Sequence, residues 1–353
     1  MKKFILILST ILLVGCGKTV PSVNMDSSVT EKNPVIEKLP ETTKESFNAV
    51  TDIETGEPDK TYYLNNSKIM FSDEKERYYY VYKNGRDSDY YVLGRETKDK
   101  KYYFLENADD FTAYLYKNGV FYGNYRQDKF CSFKDGDYTT LKYEEKNISN
   151  VYFTDEFIYF INKNDNGTEF LRMRYDGSDV ESIAYINLQV SKYSVHDNLI
   201  FYEADYLKYG VYNTETSVDT PLDNGGAGIF CGDYMYFISN EHILYRMNIN
   251  DFNCEKISEN IRRMAFYDDY IIYQPYTEDV SGDGQLYRLG KGENKKIFDA
   301  GEILKNNYYY DISVQANEEN IFVQVNSGPY YTYIAEIDID GNVIEKIYEH
   351  NSV

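Results

Sequence analysis

A chain of 353 residues with 58 acidic against 37 basic side chains carries a formal charge of −21. That balance disfavours nucleic acid and direct adsorption to anionic lipid, both of which need a basic surface. Forty tyrosines and 19 phenylalanines provide ample apolar surface, whereas three histidines leave little material for imidazole-based catalysis.

Met1-Lys2-Lys3 is a short positive segment, and Phe4 to Val14 is an apolar run broken only by Ser9 and Thr10. The run is too short for a membrane-spanning helix, which needs roughly 20 residues. Leu13-Val14-Gly15-Cys16 follows and resembles the lipobox of bacterial lipoproteins, in which small residues admit the peptidase and a thiol takes the diacylglycerol. Residues 1–15 are therefore expected to be a lipoprotein signal peptide, with Cys16 lipidated. The exported chain would be anchored through its lipid on the extracytoplasmic face of the cell membrane. Without Lys2 and Lys3 the balance is 35 basic against 58 acidic residues, a charge of −23.

Residues 16–57 form the lipidated cysteine and a flexible linker rich in Ser, Thr, Glu, Lys and Asn, with Phe47 as its one aromatic. Such a stretch buries too little apolar surface to offset its ordering entropy, and as a coil it would reach roughly 35 Å. The composition changes at Thr61-Tyr62-Tyr63, and every tyrosine lies between Tyr62 and Tyr348. The folded domain is expected over 58–353.

Within it a strand recurs, a turn followed by an apolar-aromatic triplet. The triplets are Tyr79-Tyr80-Val81, Val120-Phe121-Tyr122, Ile158-Tyr159-Phe160, Ile200-Phe201-Tyr202, Met235-Tyr236-Phe237, Ile271-Ile272-Tyr273 and Ile321-Phe322-Val323. Successive triplets are spaced by 41, 38, 42, 35, 36 and 50 residues, which is a repeat rather than a scatter. Asp155, Asp197, Asp233 and Asp269 mark the preceding turns. A second strand follows in several units, as in Phe170-Leu171-Arg172-Met173, Leu244-Tyr245-Arg246-Met247 and Leu286-Tyr287-Arg288-Leu289. No helical period competes beyond the signal peptide.

Units of about forty residues with up to four short strands predict an all-β fold, a β-propeller of four-stranded antiparallel blades. Seven triplets imply seven blades, near 62–104, 105–141, 142–183, 184–222, 223–257, 258–298 and 299–347. The first two are poorly marked, so six or eight blades stay compatible, and a two-sheet sandwich is the main rival. The inner strands of a blade are covered on both sides, which accounts for aromatic runs without strict alternation. Tyrosine suits such layers because its ring fills space while its hydroxyl reaches a turn carbonyl or water.

Asp155-Glu156-Phe157-Ile158-Tyr159-Phe160, Leu244-Tyr245-Arg246-Met247 and Tyr175-Asp176-Gly177-Ser178 resemble a family of bacterial tyrosine-rich propeller repeats of unassigned function, themselves likened to the YWTD propellers of lipoprotein receptors. The likeness covers most of 142–347 and is weaker over 62–141. The YWTD tetrapeptide is absent, as is any tryptophan. The resemblance implies a fold and an exported setting, and no catalytic residue.

Individual residues point to little chemistry. His196 and His242 read as surface histidines in turns, and His350 lies in the tail. No G-x-S-x-G is present. Asp279, Ser281 and Asp283, with Gly284, look like the front of a calcium loop, but its twelfth position is Gly290 rather than a bidentate acid. A polar hairpin tip without metal is the expectation there, and likewise at Asn164-Asp165-Asn166-Gly167. Arg172, Arg246 and Arg288 recur at one blade position, which suggests a repeated structural ion pair; a ring of arginines on the channel would instead bind an anion. Cys131, Cys231 and Cys254 are odd in number, and a Cys231–Cys254 bridge and buried free thiols are both compatible with their spacing.

The functional expectation is a non-catalytic, lipid-anchored propeller that binds a surface protein, peptide or glycan. A carboxylate- or metal-dependent hydrolase or lyase and a structural partner in an envelope assembly are the alternatives. No cofactor and no ligand-binding residue are assigned.

Overall fold

The computed structural model describes Ile53, Thr55 and residues 58–351, apart from 66–68, 73–75, 84–89, 109, 127–128, 144–145, 206, 278–283, 305–310, 318 and 328–330. Seven four-stranded antiparallel sheets follow one another along the chain, over 70–104, 111–140, 149–186, 190–222, 229–258, 261–299 and 311–351. They form a seven-bladed β-propeller. Strand order within each sheet is sequential, so no blade mixes strands from the two ends of the chain.

The hydrophobic core is divided in the same way. Seven clusters of buried residues lie one between each pair of neighbouring blades, as with Tyr159, Phe170 and Ala184 of the third blade against Tyr193, Ile200 and Tyr202 of the fourth. Each blade is too thin to cover its own two faces, and only its neighbours complete the burial. Second strands are therefore buried along their middles (Phe157–Asn164, Tyr234–Ile238, Tyr270–Pro275), whereas fourth strands such as Val218–Leu222 are mostly exposed. Tyrosine hydroxyls stitch adjacent blades at these layers. Tyr193 donates to Asn150 O at 2.8 Å and Tyr267 to Glu319 O at 3.1 Å.

Among the described residues two helices interrupt the strand pattern, α1 (Lys60–Asn65) and α2 (Ala300–Leu304). The first falls where the sequence marks only the start of the aromatic region; six residues are too few to display a helical period. Register also corrects the first repeat. Arg172, Arg246 and Arg288 pair across from Tyr159, Tyr236 and Ile272, and the equivalent pair in the first blade is Arg95 with Tyr78. The repeat there is centred on Tyr78, not on Tyr80. The three described cysteines form no disulfide with one another; Cys131 and Cys231 are buried and Cys254 is exposed.

Candidate functional site

The first strand of every blade is the innermost. Arg263 of the sixth blade donates to Ile312 O and Ser313 Oγ of the seventh, and Gln315 of the seventh binds the Met70 backbone of the first. All first strands run the same way along the axis, so their ends at Phe153, His196, Cys231 and Tyr267 lie on one face with the hairpins that follow. The connections between blades lie on the other face.

On the hairpin face the chain plugs its own channel. Pro58 forms an antiparallel bridge with Cys231, and Asp59 N donates to Phe230 O at 2.7 Å. Asp59 then caps α1, accepting from Thr61 N at 3.0 Å, as an aspartate before a helix does. Tyr62 OH accepts from Phe266 N at 2.9 Å, while Asn65 accepts from Phe153 N at 2.8 Å and donates to Phe153 O at 2.7 Å. His196 Nδ1 lies 3.1 Å from Asp59 Oδ2, with the imidazole packed on Phe230 at 4.7 Å between ring centroids. Segment 58–65 is thus held by inner strands of the third, fourth, fifth and sixth blades. Ile53 and Thr55 are buried as well, Ile53 beside Tyr62 and Tyr236.

The hydrogen bond with His196 holds the Asp59 carboxyl below its usual range, against the opposing effect of burial. The same bond raises the His196 pKa, again against burial. His196 is therefore not the surface turn residue expected from sequence. Its partner lies 137 positions away, a distance over which no sequence pattern reaches.

Beneath α1 the axial channel opens into a chamber of about 560 Å³, lined by Tyr152, Tyr193, Ser194, Ile229, Arg263 and Val314 among others. Burial drives the Tyr152 and Tyr193 phenols well above their usual range, so both are neutral hydrogen-bonding groups there.

A second concavity, about 620 Å³, opens between the first and second blades. Its floor is aromatic, with Tyr116 4.8 Å from Tyr78 and 4.5 Å from Phe121 between ring centroids. One wall is the outermost strand of the first blade, Tyr102–Phe104, where Tyr103 and Phe104 are 44% and 48% exposed. Polar groups stand at the edge. The Arg95 guanidinium lies 5.4 Å from the Tyr103 ring and 3.5 Å from Glu76, and Tyr78 OH donates to Glu76 at 2.7 Å. Glu106, Lys134 and Asp135 complete the rim. Sequence reasoning did not single out these residues, because Tyr103-Phe104 looks like any other tyrosine-rich run. Recognising Arg95 as the first-blade counterpart of Arg172 would have been the available signal.

The recurring arginines form the repeated ion pair. Arg172 pairs with Glu181, Arg246 with Glu255 at 2.7 Å, and Arg288 with Glu293 at 2.8 Å and Asp340 of the next blade at 2.7 Å. Each guanidinium also lies over a ring near the start of the second strand, Phe157, Tyr234 or Tyr270, at 4.4, 4.7 and 5.2 Å. None of the three lines the chamber. Asn164-Asp165-Asn166-Gly167 is a hairpin turn held by its own groups, with Asn166 N donating to Asn164 Oδ1 at 2.9 Å. His242 stacks on Tyr276 at 3.5 Å. Cys16 and the calcium-loop candidates Asp279, Ser281 and Asp283 lie outside the described residues.

No family model matches the chain, and no curated protein matches it. Solved structures do. A puromycin-hydrolysing peptidase of Mycobacterium tuberculosis aligns with a TM-score of 0.56 at 8% identity, over 86% of this chain and 57% of that one. The β-propeller domain of the Trilobed protease from Pyrococcus furiosus gives 0.51 at 13% identity, over 81% and 98%. The computationally designed Ika8 protein gives 0.50 at 11%, over 85% and 90%. At these identities the likeness establishes the propeller fold, and the chain spans little more than half of the peptidase.

Proposed function

We propose that this chain is an exported lipoprotein, anchored through Cys16, whose propeller is a non-catalytic glycan-binding module that takes sugar in the groove between its first two blades. The observation that carries the binding reading is the exposed Tyr103 ring edged by Arg95 and Glu76, above an aromatic floor. A sugar presents an apolar C–H face and a rim of hydroxyls that both donate and accept. An aromatic platform bordered by a guanidinium, a carboxylate and phenol hydroxyls is complementary to both. The groove volume lies within the range of small-ligand sites. The anchor rests on Leu13-Val14-Gly15-Cys16 after a short apolar run, and the linker before Ile53, which is itself buried against the propeller, would hold the propeller clear of the membrane.

The test is a glycan array probed with the full chain, followed by calorimetry on retained sugars. Tyr103→Ala is expected to weaken binding at least about tenfold, since truncating an aromatic anchor typically costs 2 kcal/mol or more. Retention of peptides but no glycan would replace sugar with peptide as the ligand. Equal binding by the variant would remove the groove from consideration. Metabolic labelling with a fatty acid tests the anchor, with Cys16→Ala expected to abolish incorporation.

A further inference from the structure

The axial chamber carries a separate inference, independent of the groove. In a chain with 58 acidic and 37 basic residues, Arg263 is the single charged side chain among the described residues that line it. Arg263 follows Arg262 at a bulge in the innermost strand Ile261–Tyr267, and bulges commonly re-aim side chains near functional sites. Its side chain is 41% exposed, an unusual degree of access for a charge set within a ring of inner strands.

The hydrogen bonding of Arg263 is lopsided. One terminal nitrogen faces four acceptors, Asp311 Oδ1 at 3.2 Å, Asp311 Oδ2 at 3.4 Å, Ile312 O at 3.0 Å and Ser313 Oγ at 2.9 Å. The other reaches only Asp311 Oδ2 at 3.4 Å, and Nε makes no hydrogen bond among the described residues. Asp311 is not part of the chamber wall, so the ion pair is a dipole with its positive end on the cavity. Much of the remaining wall is apolar or aromatic, with Tyr152, Tyr193, Ile229 and Phe230, and Thr61, Tyr62 and Asn65 of α1 line the hairpin end. Arg263 and Asp311 sit toward the starts of their strands, on the connection face, so a ligand entering from that face meets the guanidinium first.

We infer that this chamber binds a small carboxylate with an apolar body, its carboxylate on the free edge of the Arg263 guanidinium and its body against Tyr152, Tyr193 and Ile229. A guanidinium presents paired N–H donors that match a carboxylate, and a cavity of this size accommodates a small metabolite.

Calorimetric titration of the full chain with 4-phenylbutyrate, indole-3-acetate and hexanoate, each beside its neutral amide, tests the inference. At least one carboxylate should bind about tenfold or more tightly than its amide, the difference expected of a charge-assisted hydrogen bond. Arg263→Met should erase that preference and Arg263→Lys should retain part of it. Equal binding of acid and amide, binding by none of the three acids at millimolar concentration, or an unchanged preference in a folded Arg263→Met protein would overturn the assignment. The acid–amide comparison on the unaltered chain needs no variant to fold, and glycan binding by the groove is read separately.

Discussion

Two neighbouring interfaces of the ring are built differently. Between the sixth and seventh blades sixteen buried residues form a mainly aliphatic layer. Between the seventh and first, where the ring closes, the buried layer has six among the described residues: Ile69, Met70, Tyr79, Val81, Phe322 and Ile334. None of the described strands is shared across this seam, so side chains must do what a shared sheet would otherwise do. Gln315, almost fully buried, accepts from Met70 N at 3.0 Å and donates to Met70 O at 2.8 Å. Farther out, Glu345 binds Arg77 at 2.7 Å and also Lys100, and Tyr79 packs on Tyr348 at 6.0 Å. A thin apolar seam is thus supplemented by directional bonds, which fix alignment where burial alone is least able to.

The largest effect is expected from Phe322→Ala. Removing one of the six buried residues should cost about 3–5 kcal/mol, read as a lower urea midpoint, and should raise proteolysis in the first and seventh blades before the others. Leu286→Ala, in the thicker interface, should cost about 2–5 kcal/mol without that bias toward the chain ends. If both variants are cleaved alike, the seam is no weaker than its neighbour.

Gln315→Ala comes next. It strands the buried Met70 N–H and carbonyl together, for a loss of about 2–3 kcal/mol, measured as the same midpoint shift. Gln315→Met, similar in volume but without the amide, should recover little of it.

The smallest effect belongs to Arg77→Gln. The pair with Glu345 is about one-third exposed on each side, and such pairs contribute roughly 0–1 kcal/mol. Its value lies in its pH dependence. Lys100 and then Arg77 hold the Glu345 carboxyl below its ordinary value near 4.5. The folded-state pKa is depressed, so the contribution is present above that ordinary value and is lost as pH falls through the lowered one. Melting curves from pH 6 to pH 3 should show Glu345→Gln losing part of the acid sensitivity of the parent chain.

Most of the ring was legible in the sequence because its units repeat. Ile158-Tyr159-Phe160 and Met235-Tyr236-Phe237 follow marked turns, and their spacing located the third and fifth blades, with ends within seven residues of the observed sheets. Legibility failed where phase or distance was hidden. Arg77-Tyr78-Tyr79-Tyr80-Val81 is aromatic over too many successive positions to reveal which residue faces which blade; only the pairing of Tyr78 with Arg95 decides it. The plug was invisible because its partners, Phe153, His196, Phe230 and Phe266, are separated from it by 88 to 204 positions where side chains mediate the bond. The groove and the chamber are assembled from different blades, and a linear pattern cannot show such a convergence.

The plug also determines how a load would travel through the molecule. A pull on the chain upstream of Pro58 does not first reach the short strand Met70–Ser72, which could unzip from its sheet one bond at a time. It reaches α1, where Asp59, Tyr62 and Asn65 grip four different blades, so several bonds must yield together. Tension is spread over the hub as shear rather than peeling the rim.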